Sequence, residues 1–323
     1  MALFESLKMF PKVDLHVDYF GSINKEAIYE LTKVRNSKDD IDEILEFSSL
    51  TDYNNTKELV KKLLNSYENI DLATDYLLKE LKEKNTLYAE IYLNLNSFLH
   101  NLDKNIIIKN ILNKVKSSEL NINIVLEIDS SINKEDLYDN LNILYEYYNH
   151  GINGVYFKKN KLDNIDSYKS LFDKFIKDDI NYIVLLDSKI TSQNKDIYYN
   201  ASHIIYNLIE IPSNDFLEII KENNIILEFP ITYQSFFNLY DDLKNHIIYD
   251  LFKLNVNIAF TTIDMNVLDT DLLNEYCKIF NVFPFSLHDL VMINLNILNN
   301  ININDNLKSN LISEFREKAN LIL

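Results

Sequence analysis

Eight short apolar runs, rich in β-branched residues and separated by longer segments of helical period, set the strongest limit on how this chain can fold. They are KVDLHVD (12–18), TLYAEIYLNL (86–95), NINIVLEID (121–129), GVYFKK (154–159), NYIVLLD (181–187), ASHIIY (201–206), IILEFPI (225–231) and NIAFTTI (257–263). Such nearly continuous runs suit strands covered on both faces, as in a parallel sheet. The intervening segments are amphipathic. In KEDLYDNLNILYEYYN (134–149), Leu137, Leu141, Leu144 and Tyr148 share one face, and 214–224 and 240–255 behave alike. Ser213, Asn214 and Asp215 supply capping side chains for the helix at 214. Strand and helix in alternation predict an α/β fold, a (β/α)8 TIM barrel. The first connection, 19–85, is far longer than the others and predicts extra helices inserted after strand 1, at about 20–85. Within it, the charge-rich SKDDIDEILEF (37–47) reads as a solvated helix face. No Pro/Gly/Ser-rich linker divides the chain, so one barrel domain over 1–323 is expected. The Asn-rich tract 294–306 reads as a helix end and a loop.

Composition removes several function classes. The chain has 3 glycines, Gly21, Gly151 and Gly154, where average usage would give roughly 20. Neither a G-x-G-x-x-G nor a P-loop can be written with them, which excludes glycine-rich phosphate cradles in their usual forms. A formal charge of -17 repels phosphate backbones and anionic lipid, so no nucleic-acid or membrane partner is expected. The lone Cys277 allows no internal disulfide and no thiolate cluster, and it sits in a helical stretch that reads as core. The N-terminus lacks a signal-peptide pattern, and no run of about 18 apolar residues occurs, so a cytoplasmic location is expected.

In a barrel, the C-terminal strand ends share one pocket. The polar residues at those positions are His16 and Asp18 on strand 1, Asp187 after strand 5, His203 on strand 6 and Asp264 after strand 8. An H-x-D on a strand puts both side chains on one face, as two ligands of one metal require. His100, His150, His246 and His288 fall in helices or loops and read as structural or exposed.

At PKVDLHVDYFGSINKEAIYEL the sequence resembles the start of the adenosine deaminase family, P-K-[VA]-[ED]-L-H-x-H-L-x-G followed by a helix. LYAEIYLNL, FLEIIKENNIILEFPITYQS, HIIYDLFKLNVNIAFTTIDMNVLDTDLLNEY and FSLHDLVMINLNIL resemble later segments of that family in the same order. The resemblance implies a zinc (β/α)8 barrel in which zinc-bound hydroxide attacks C6 of adenosine and ammonia leaves. It implies a Glu that handles the purine N1 proton and a His that orients the water.

Carried over by position, much of that apparatus is changed. His16 matches the first zinc histidine and Asp18 stands at the second. The substrate-contacting Asp falls at Phe20. The H-A-G-E motif after strand 5 is absent, with Leu186 or Asp187 at its histidine. His203 is what remains of G-H-G. The last ligand, the first Asp of T-D-D, matches Ile263, and the second Asp, a substrate contact, matches Asp264. The Cys-Pro pair after strand 7 is replaced around Pro230.

These departures predict a member that has lost zinc and deamination, with no cofactor expected. Its ligand would be a purine nucleoside, or its role would move to a protein partner. His16 and Asp18 are remnants of the metal site; His203 is the remaining catalytic candidate; Asp264, Phe20 and His203 are the substrate-contact candidates. Tyr19, Phe20 and Ile263 are expected to fill the space of the metal, and Tyr233 and Phe236 to line the mouth or pack. The alternative is an active metal-dependent hydrolase on adenosine or a related purine, with zinc or another metal in a site rebuilt from His16, Asp18, Asp187, His203 and Asp264. One reading of Asp264 is a ligand contact. The other reading of Asp264 is a cap for the helix near Asp269.

Overall fold

The computed structural model describes residues 3–32, 50–159 and 165–323. The run 37–47 lies outside them. Among the described residues, eight parallel strands follow one another in chain order around a single sheet. They are β1 (Lys12–Asp18), β2 (Thr86–Leu93), β3 (Asn121–Asp129), β4 (Ile152–Lys158), β5 (Tyr182–Leu186), β6 (His203–Tyr206), β7 (Ile226–Phe229) and β8 (Ile258–Phe260). The sheet closes where the Asp18 N–H donates to the Ile263 carbonyl and the Ile263 N–H to the His16 carbonyl, both at 2.8 Å. This is a (β/α)8 barrel. Helices Lys25–Thr32, Leu50–Leu63 and Tyr67–Glu83 all fall between β1 and β2, where the long connection predicted extra helices.

The outer face of the sheet packs on the helices through an apolar shell that includes Leu15, Val17, Ile124, Phe157 and Phe229. Inside the barrel the filling is different. Tyr92, Val125, Tyr156, Ile183 and Ile205 form a small apolar cluster of their own, and buried His16, Glu90, His203 and Glu228 stand beside it. Alternation along each strand explains the split, since residues two apart face the same side. On β1 the odd residues Val13, Leu15 and Val17 join the outer shell, and Asp14, His16 and Asp18 carry the polar contacts.

One local expectation differs from what is observed. The amphipathic stretch 240–255 is not one helix. It breaks into a turn of 3-10 helix, Leu243–Asn245, and a short helix, Ile248–Lys253. His246 makes the break: its Nδ1 accepts from the Ile248 N–H at 3.1 Å, and its Nε2 is held by Gln234 Oε1 at 2.9 Å. The helix before β7, by contrast, is capped as expected, with Ser213 Oγ accepting from the Phe216 N–H at 3.4 Å. The Asn-rich tract holds the end of helix Leu287–Asn300, a short connection, and the first residues of helix Asp305–Asn320. Cys277 packs half-buried against the core. No helix of the described residues is long and apolar enough to cross a membrane.

Candidate functional site

The C-terminal end of the barrel carries two buried polar clusters, stacked one above the other along β1. The lower one belongs to His16. Its Nδ1 lies 3.1 Å from Glu228 Oε2, across to β7. Its ring stacks on Tyr92, centroid to centroid 3.6 Å, with the planes 10° apart. Glu228 Oε1 faces His203 Nδ1 at 3.3 Å and the Tyr92 hydroxyl at 3.4 Å. A second carboxylate, Glu90 on β2, lies 3.8 Å from the same His203 nitrogen. Glu90 also accepts from the Tyr88 hydroxyl and the Asn153 amide, both at 2.8 Å. All four groups are shielded from water, so partner charges weigh heavily on Glu90, Glu228 and His203. Burial pushes Glu90 above the usual carboxylate range. For Glu228, burial works in the same direction, but the His16 hydrogen bond and the close His203 imidazole win and hold it below that range. Burial opposes a charged His203, yet the close contact with Glu228 and the charges of Glu90 and Glu228 raise it overall.

The upper cluster joins Asp18 and Asp264 through a lysine that no motif marked. Lys57, from helix Leu50–Leu63, places its Nζ 3.1 Å from Asp18 Oδ1 and 2.6 Å from Asp264 Oδ1. The Tyr53 hydroxyl, one turn earlier on the same helix, donates to Asp264 Oδ2. Asp18 Oδ1 also accepts from the Gly21 N–H at 2.7 Å. Burial would raise Asp18, but the Lys57 ammonium, with Lys158 and the Gly21 N–H, brings it down to about 2. Burial raises Asp264, and Lys57 offsets only part of that. Lys57 stays charged, because the two carboxylates outweigh its desolvation and raise it well above its ordinary value.

The backbone is fitted to this cluster. A Cβ added at Gly21 would come within 1.7 Å of Asp264 Oδ1 and 2.8 Å of Asp264 Cβ, so glycine is required there for close approach. Ile263 has φ 59°, a conformation that costs a β-branched residue of order 1–3 kcal/mol. It is held there by its two bonds to β1 and by Ser22 Oγ, which donates to its carbonyl at 3.1 Å.

Other expected site residues lie elsewhere. Tyr19 does not fill the space of a metal: its hydroxyl turns to helix Tyr67–Glu83, 2.8 Å from Thr74 Oγ1. Phe20 packs on Tyr19 and on Phe98 after β2, with centroids 5.4 and 5.0 Å away. Asp187 pairs with Lys159 Nζ at 3.0 Å and joins neither cluster. Leu186 is core. Asp264 is not a helix cap, because helix Leu272–Val282 is capped by Asp271. Tyr233, Phe236 and Phe237 pack around Tyr53, Val267 and Leu268, in the segments that follow β7 and β8. The five-residue set of His16, Asp18, Asp187, His203 and Asp264 is thus divided among separate contacts. Among the described residues, no group of three or more His, Cys, Asp or Glu side chains is arranged to hold a metal ion. The donor set present does not fit the zinc that the family resemblance implies. The position that the resemblance assigns to the last ligand is Ile263, and the Lys57 ammonium sits between Asp18 and Asp264.

No protein-family profile matches the chain. It is 23% identical to an adenosine deaminase of Clostridium acetobutylicum over 313 residues, 90% of this chain and 92% of that one. Among solved structures, an apo N6-methyl-AMP deaminase from Arabidopsis thaliana superposes with a TM-score of 0.84. That alignment has 17% identity and covers 97% of this chain and 98% of the other. An Arabidopsis ADAL complexed with IMP also gives 0.84, at 16% identity and 99% and 100% coverage. These two likenesses speak for the fold. The clostridial enzyme adds a likeness in sequence that runs over nearly the whole of both chains, in line with the adenosine deaminase resemblance of the motifs from His16 to Asp264.

Proposed function

We propose that this member binds rather than deaminates: its barrel mouth is closed and zinc-free, and its role is exercised on a partner protein at the outer surface. The Lys57 ammonium between Asp18 and Asp264 carries this reading. A cationic side chain at that spot repels a divalent ion and occupies the mouth. The proton shuttle is also absent from the loop after β5, and general acid–base groups typically contribute about 10²–10⁴-fold. Elemental analysis of protein purified without added metal tests the metal half of the proposal. Well under one equivalent of zinc is expected, and about one tightly held zinc or manganese per chain would restore the rebuilt-site hydrolase.

The mouth itself has a second test, prompted by the IMP held by the Arabidopsis neighbour. In calorimetry with adenosine, inosine and IMP, no binding tighter than about 10 μM, near −7 kcal/mol, is expected. Tighter binding would show that the helix carrying Tyr53 and Lys57 yields to a purine ligand, and the role would then be nucleoside binding.

A further inference from the structure

We infer that Lys57 is a built-in replacement for the metal: from a helix inserted after β1, it supplies the positive charge that holds the carboxylates of β1 and β8 together. The inference rests on the zinc-free reading above and adds a cause for it. Asp18 stands at the position of a family zinc histidine, and Asp264 directly follows the position of the family's last ligand. Both are buried, and both face one nitrogen, at 3.1 and 2.6 Å. Two carboxylates this close repel strongly in a site shielded from water unless a cation lies between them. In a zinc barrel of the kind the resemblance implies, the metal would supply the positive charge at this end of the barrel. Here the ammonium makes short contacts to both, and it arrives on a helix whose Tyr53 binds the other oxygen of Asp264. Lys57 is itself largely buried, with 15% of its side chain exposed, so its charge is committed to this pair. The same contacts fasten the inserted helix across the mouth. One residue therefore does two things, balancing the charge of the vacated site and closing it.

The inference separates from a plain surface ion pair by what happens when the lysine is removed. Lys57→Ala leaves two buried carboxylates without their cation, and a fall in melting temperature of at least about 5 °C is expected. Manganese at millimolar concentration should then recover part of that loss in the variant by binding the folded state alone. It should leave the unaltered protein unchanged. Adding Asp18→Asn to Lys57→Ala should abolish the recovery, because one ligand is gone. If Lys57→Ala cannot be purified folded, the pair Lys57→Ala with Asp264→Asn serves instead. Removing one charge of each sign should return a folded chain, and its failure to fold would count against the charge-balance role. The inference is overturned if Lys57→Ala melts with the unaltered protein, or if it is destabilised and does not respond to manganese. These outcomes are independent of the zinc content of the unaltered protein, so the failure of one reading is not mistaken for the failure of the other.

Discussion

Replacing Glu228 by leucine should destabilise the protein by about 3–5 kcal/mol, the usual cost of removing one partner from a buried charged cluster. Glu228 is the hub of the lower cluster. One oxygen meets His16 at 3.1 Å, and the other meets His203 at 3.3 Å and Tyr92 at 3.4 Å. A leucine would leave two imidazoles and a phenol facing hydrocarbon in a site with no exposure to water. Glu228→Gln keeps the shape and one acceptor oxygen, so its cost should be nearer about 1–3 kcal/mol. Urea unfolding of the three proteins reads the difference. Equal losses for Leu and Gln would mean that packing, and not charge, fixes this layer.

The same cluster should leave a pH signature. His203 is raised in the folded state, so the stability it contributes is present below its unfolded value and is lost as pH rises through the folded one. Glu228 is lowered, so its contribution is present above the ordinary carboxylate value and is lost as pH falls through the folded one. In His203→Gln the loss on the alkaline side should disappear from the stability profile.

The barrel was legible because apolar runs of strand length recur between segments of helical period, and local patterning decides both. β3 was read to the residue as 121–129. For β8 the pattern runs on to 257–263, past the observed Ile258–Phe260, because Ile263 looks like a strand residue. Its left-handed turn takes it out of the β7 ladder and into a bridge with β1. On the site, sequence motifs located His16, Asp18, His203 and Asp264 but not what they touch. Lys57 lies 207 positions from Asp264 and reads as one more lysine in TKELVKKL, a pattern typical of a solvated helix. Glu90 and Glu228 did leave a signal. Each is a lone carboxylate within an apolar strand run, TLYAEIYL and ILEF, and such a residue must find partners inside the barrel. Which partner it finds depends on strands far apart in the chain, and no local spacing records that.

The second large effect concerns chemistry. Zinc-dependent deamination needs a metal that generates hydroxide near neutral pH and a group that manages the purine N1 proton. Here the last-ligand position is Ile263, the second-ligand position is an Asp paired with Lys57, and no Glu stands in the loop after β5. On the proposed reading these differences bear on one transition state, so catalysis is expected to be abolished and not merely weakened. His16 and His203, which a reader of the motifs would expect to serve zinc and water, are both turned to Glu228. The most direct measurement is ammonia release from adenosine and from N6-methyl-AMP by protein dialysed against zinc, beside a His203→Ala variant. The account predicts release no greater than background for both proteins. Release by the unaltered protein that is lost in His203→Ala and on chelation would contradict it.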